Sequence, residues 1–159
     1  MERQNSGSHF EEMVNDLFIP IQREYPYRFR ITKHPRLTLQ TGETVIPDFE
    51  IEIDLPHLKT KHLIECQDRG KNSKAILHKI QHIRSKSNRN KFIFVYRESA
   101  SEETLKSLSL EGVLVFSFEQ LVQFAQQVKL IIGATKPAYF GTSGDEWDAE
   151  RECEEEDDG

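Results

Sequence analysis

The sequence predicts an α/β protein: a mixed central sheet flanked by helices, in the order α-β-β-β-α-β-α-β-α. Three observations carry this. Phe49, Ile51, Ile53 and Leu55 alternate with Glu50, Glu52 and Asp54, the period-two pattern of a strand with one buried face. Phe92-Ile93-Phe94-Val95 and the run Val113 to Phe118 are continuously apolar, as in strands covered on both faces. Between and around these runs lie segments whose apolar residues recur at helical spacing, which places helices against the sheet.

Taken in order, residues 1–7 are polar and read as a loose N-terminus. Ser8-His9-Phe10-Glu11 has the form of a capping box, and Phe10, Met13, Val14, Leu17, Phe18 and Ile21 make an apolar stripe behind it. The helix is expected to reach about Ile19, with Pro20 ending or bending it. Tyr27 to Lys33 and Arg36 to Gln40 are strand-compatible on either side of His34-Pro35, and Thr41-Gly42-Glu43-Thr44 reads as a turn. Pro47 lacks an N–H and can open a strand, which puts Asp48 at the entrance of the alternating run. The next strand, His62 to Gln67, is joined to it by Pro56 to Lys61. A helix starting at Asn72-Ser73 carries Ala75, Ile76, Leu77, Ile80 and Ile83 and ends near Ser87. Ser99 to Leu110 reads as a short helix broken by Gly112. Phe118 to Ile132 closes the domain as an amphipathic helix.

One domain, residues 8–132, fits this length. No apolar run approaches the eighteen or so residues of a membrane span, and no charged-then-apolar leader stands at the N-terminus. With two cysteines, Cys66 in a strand and Cys153 in the tail, no disulfide framework is expected; the reading is a reducing, cytoplasmic setting without membrane attachment. Charge is unevenly spread. Of 27 acids, ten lie in residues 144–159 beside one of the 21 bases, so residues 1–143 are left with seventeen acids and twenty bases, a sum of +3. Residues 133–159 form a linker and an acidic tail expected to be disordered.

Two strands side by side can bring the Asp48 and Glu65 carboxylates together, and like charges that close call for a cation. Side chains repeat every second residue along a strand, so Glu65 and Gln67 share a face. Pro47-Asp48, a spacer of sixteen residues and Glu65-Cys66-Gln67 resemble the PD-(D/E)XK, restriction-endonuclease-like nuclease superfamily in its Glu-x-Gln form. Gln67 stands where that superfamily usually has Lys. The resemblance covers roughly residues 7–132 and implies a metal-dependent endonuclease acting on DNA, commonly as a homodimer. It further implies that Asp48, Glu65 and the main-chain carbonyl of Cys66 hold magnesium, with manganese as a substitute. Gln67 would orient the attacking water, and Glu11, on the flank of the first helix, would be auxiliary. A capping carboxylate is the alternative for Glu11. A glutamine carries no charge, so either the metal does more of the activation or a nearby cation takes over, with Lys71 and Lys74 as the candidates.

From Arg69 to Lys91 there are eight Lys or Arg and no acid. Arg69, Lys71, Asn72, Lys74, Lys79 and Arg84 are therefore read as a phosphate-contacting surface, against the alternative of a solvated basic face. His78 and His82 lie four apart, a zinc-compatible spacing that lacks a third ligand. Two other functions stay open: a catalytically inactive nucleic-acid-binding or regulatory module, and an adaptor whose acidic tail binds a basic partner or masks the protein's own basic face.

Overall fold

The computed structural model describes residues 2–68, 73–89 and 91–135. The elements are α1 (Glu2–Glu24), β1 (Phe29–Lys33), β2 (Leu37–Thr38), β3 (Thr44–Val45), β4 (Phe49–Leu55), β5 (Leu58–Gln67), α2 (Ser73–Lys86), β6 (Phe92–Tyr96), α3 (Glu102–Leu110), β7 (Leu114–Ser117) and α4 (Phe118–Ala134). Five strands form one mixed sheet in the order β1-β4-β5-β6-β7, and β2 and β3 form a separate two-stranded ribbon. The β1–β4 and β4–β5 pairs are antiparallel, whereas β5–β6 and β6–β7 are parallel. The parallel pairs need crossovers, and α2 and α3 supply them. The expected α/β architecture is what folds, with the ribbon added.

Strand alternation divides the interior in two. Phe49, Ile51, Ile53, Leu55, Ile64, Ile93 and Val95 face α1 and α4, where Phe10, Val14, Phe18, Leu121 and Ala125 meet them. Leu63, Phe92 and Phe94 face the other way, against Ile80 and Ile83 of α2, Leu108 of α3 and Leu39 beside the ribbon. Each fully buried Leu, Ile or Phe contributes roughly 1.5–3 kcal/mol of transfer free energy. Both faces are therefore anchored, and residues in the middle of β5 are enclosed.

Several expectations are corrected. The first helix starts at Glu2, so Ser8 lies inside it and does not cap it, and residues 2–7 are helical. It also runs through Pro20 to Glu24; Asp16, whose carbonyl loses its helical donor there, and Pro20 are both exposed, so water can replace the missing bond. The β4–β5 connection is not the six residues Pro56 to Lys61. Leu55 pairs with Leu58, leaving Pro56 and His57 as the turn. The seventh strand, expected to be buried, is a sheet edge with Leu114 40 % exposed. At the opposite edge, Gln22 Oε1 of α1 accepts the Ile31 N–H at 2.8 Å, satisfying a donor that would otherwise face solvent. The acidic-tail reading concerns residues outside those described.

Candidate active site

Register brings the two halves of the site together. Phe49 pairs with Ile64, so the residue before Phe49, Asp48, lies opposite Glu65. There the strand turns away: the Asp48 carbonyl accepts the His34 N–H at 2.8 Å, and its carboxylate Oδ2 accepts the Cys66 N–H at 2.7 Å. The Glu65 carboxyl is near enough to Asp48 to feel its charge. The Asp48 side chain, at the entrance of β4, is thus tied to the backbone of β5 one residue beyond Glu65.

Glu65 is 3 % exposed. Its Oε1 accepts a hydrogen bond from Lys79 Nζ at 3.2 Å, while Oε2, 3.1 Å from the same ammonium, is buried without an aligned donor. Lys79 Nζ also donates to the Ile46 carbonyl at 3.0 Å, which fixes the long side chain across the mouth of the site. Burial, reinforced by the neighbouring Asp48 charge, pushes the Glu65 carboxyl up to about 8 against the opposing pull of Lys79. Asp48 rises to about 6, again mainly through burial and despite the Cys66 N–H; the Glu11 carboxylate raises it further. The Cys66 thiol is pushed well up by burial and by these acids, so at neutral pH it is a packed thiol rather than a nucleophile.

Glu11, on the flank of α1, stands close enough to Asp48 to raise its carboxyl and lies 2.9 Å through Oε1 from His34 Nε2. Ligand atoms of Glu11, His34 and Asp48 all fall within 4.8 Å of one another. His34 adopts a left-handed conformation, φ 52°, which costs an L residue about 1–2 kcal/mol. The bond from its N–H to Asp48 holds it there. Gln67, 3 % exposed on the same face as Glu65, donates from Nε2 to the Ser99 carbonyl at 3.1 Å.

Among the described residues, the cation beside Glu65 is therefore Lys79. Lys74 is exposed on the first turn of α2, and Lys71 lies outside the described residues with Arg69 and Asn72. Lys79 had been read only as a phosphate contact. Its spacing held the signal: Ile76, Lys79, Ile80 and Ile83 follow the i, i+3, i+4, i+7 pattern of the sheet-facing stripe, so a lysine there points inward. Arg84, read as a backbone contact, instead bridges to Glu111 at 3.4 Å, with its guanidinium 5.7 Å from the centre of the Phe92 ring. His34 was passed over because His-Pro reads as an interruption between strands. The zinc reading of His78 and His82 finds no third ligand; His82 pairs with Glu43 at 2.9 Å. The three-ligand grouping among the described residues excludes both.

No protein-family model matches this chain, and no curated protein does. Among solved structures, the protein of unknown function AF1548 aligns with a TM-score of 0.50 at 11% identity, over 72% of this chain and 66% of that one. Protein VC1899 from Vibrio cholerae aligns at 0.47 and 13% identity, over 78% and 33% of the two chains. The restriction endonuclease FokI bound to DNA aligns at 0.46 and 12% identity, over 78% and 25%. The chain thus spans just under two thirds of the first of these proteins and a third or less of the others. What it shares with the first is the fold. No helix among the described residues is long and apolar enough to cross a membrane.

Proposed function

We propose that this chain is a metal-dependent endonuclease hydrolysing DNA phosphodiester bonds, with Asp48 and Glu65 as the residues that hold a divalent cation. The observation that carries this reading is the Glu65 carboxylate: enclosed, set against Asp48, with Oε2 lacking an aligned donor. A buried carboxylate without full pairing costs several kcal/mol. Carboxylate oxygens with Cys66 as main-chain donor suit a hard cation, magnesium or manganese, so the residues fit the group. When bound, such a cation polarises a phosphate and acidifies water.

The remaining roles belong to the chain's own groups. Lys79 supplies the positive charge that Gln67 lacks and stands ready to stabilise negative charge developing beside Glu65. The Gln67 amide, tied to Ser99, orients without exchanging protons. Glu11, beside Asp48, is placed to hold a water or to complete the ligand set with His34. Arg69, Lys71, Asn72 and Lys74, between β5 and the first turn of α2, would meet the DNA backbone, with Arg84 withdrawn from that role by Glu111.

The test is cleavage of supercoiled plasmid with magnesium or manganese against chelator. Wild type should nick or linearise it, and Glu65→Ala should lose at least ~100-fold in rate. A wild-type protein that binds DNA yet leaves it intact under every metal condition would sink the reading. One observation favours a second reading. The Lys79 ammonium already neutralises Glu65, as in a DNA-binding module that needs no metal. That module would show no metal-dependent stabilisation.

A further inference from the structure

At the end of the sheet away from Asp48 and Glu65 lies a cleft of about 380 Å3 lined by Lys59, Thr60, Lys61, Asn88, Arg89 and Lys91. Four of the six are cations and none is acidic. Lys59 bridges to Asp54 at 3.3 Å, and Arg89 pairs with Glu50. Among the described residues, Lys91 Nζ contacts a hydroxyl alone, Thr60 Oγ1 at 3.4 Å, and Lys61 is exposed. After those two pairings, two positive charges are left on one concave surface.

The chain leaves the described structure at this same end of the sheet. Arg28 Nη1 donates to the carbonyls of Ile132 at 3.0 Å and Thr135 at 2.6 Å, which fixes the end of α4 at the start of β1. The Arg28 carbonyl accepts the Asp54 N–H at 2.9 Å, and Asp54 bridges to Lys59. Three contacts in series lead from Thr135 to the cleft. Residues 136–145 can span up to ~33 Å, enough to bring the acidic run that starts at Asp145 to the cleft. Glu65 lies six residues further along β5 from Lys59, another ~20 Å.

We infer that the Lys59–Lys61–Arg89–Lys91 cleft is the docking site of the protein's own acidic segment, residues 144–159. The argument is complementarity and tether: ten acids and one base in that segment, against an unbalanced basic cleft at the end where the chain emerges. Attachment through residues 136–143 keeps the acids at high local concentration, so individually weak, exposed pairings suffice. Docking is independent of the nuclease reading, because it uses none of Asp48, Glu65 or Lys79. Where the protein meets a polyanion, that ligand would compete with the segment for the cleft.

Trp147 is the sole tryptophan and lies within the acidic segment, so the full-length chain carries its own reporter. Acrylamide quenching of its fluorescence is measured in about 0.1 M and about 1 M salt. The docked segment predicts a quenching constant that rises about twofold with salt, since screening releases it. Lys61→Glu/Lys91→Glu should show the released value already at low salt. Lys106→Glu, an exposed change on α3, should behave as wild type. Docking is overturned by equal quenching of wild type and the double variant at low salt, or by an equal effect of Lys106→Glu. Protection that disappears on dilution also overturns it, because a second copy would then hold the segment. Salt release in the unaltered protein keeps the test valid if the double variant folds poorly.

Discussion

The Lys79 ammonium lies 3.1 Å from the Glu65 carboxylate, the first on α2 and the second in the middle of the sheet, with the carboxylate 3 % exposed and the lysine about one third. The pair is asymmetric: the acid is enclosed and the base reaches in from the surface. Removing the base leaves a buried charge, whereas removing the acid frees a lysine that water can solvate.

Lys79→Met should therefore destabilise the metal-free protein by about 1–3 kcal/mol, below the ~3–5 of a fully enclosed pair because one end is screened and Glu65 can protonate. Glu65→Gln should cost less than Lys79→Met, or even stabilise. Urea denaturation of both variants and the double variant checks this. A larger loss from Glu65→Gln would show that the carboxylate is not the strained partner.

Stability of the metal-free protein should fall as pH rises. Folded-state values of about 6 for Asp48 and about 8 for Glu65 lie above the ordinary 3.8 and 4.5, so the folded state holds protons that the unfolded state has released. The loss should run from about pH 4 to about pH 6 for Asp48, continue to about pH 8 for Glu65, and then level off. Denaturation midpoints in chelator across this range read it. Glu65→Gln should flatten the portion above pH 6.

Manganese at about 100 times its dissociation constant should stabilise the chain by about 2.7 kcal/mol. Asp48→Asn and Glu65→Gln should lose that gain. His34→Ala should weaken manganese binding more than magnesium binding, since imidazole suits the softer ion. Thermal unfolding with each metal, against chelator, separates the three variants.

Gly112→Ala should cost about 1 kcal/mol, purely through backbone conformation. Gly112 has φ +82°, and an added methyl would meet only Arg84 Nη2 at 3.6 Å, an ordinary contact. Chemical denaturation should show a shifted midpoint with an unchanged slope.

Much of this was legible before the fold. Period-two alternation located β4, the apolar run located β6, and spacing named Asp48, Glu65 and Glu11; Glu11 and Asp48 share one three-ligand grouping with His34, and Glu65 stands outside that grouping. Lys79 and Arg84 sit differently from the solvated basic surface the sequence implies, for one reason. Counting charge along residues 69–91 treats every cation as solvated, whereas helix rotation turns Lys79 toward Glu65 and packing lays Arg84 over Phe92. His34 is legible only through its backbone, since a left-handed residue before proline leaves no pattern in composition. Half of the ribbon was legible, since β2 lies within Arg36 to Gln40, whereas β3 is two residues long and begins at Thr44, where a turn is expected.

The two-residue bend at Pro56-His57 acts as a ruler. From it, seven consecutive pairs run up the hairpin to Phe49 and Ile64, and the next rung holds Asp48 and Glu65. Inserting one residue between Leu58 and Glu65 would rotate every side chain beyond it to the opposite surface, swinging the carboxylate in among the phenylalanines of α1 and presenting Ile64 to the lysine. Inserting two would restore the facing but move the acid one full repeat past its counterpart. Changes in hairpin length thus reach the acidic pair without touching it, and an even and an odd insertion disable it by different routes.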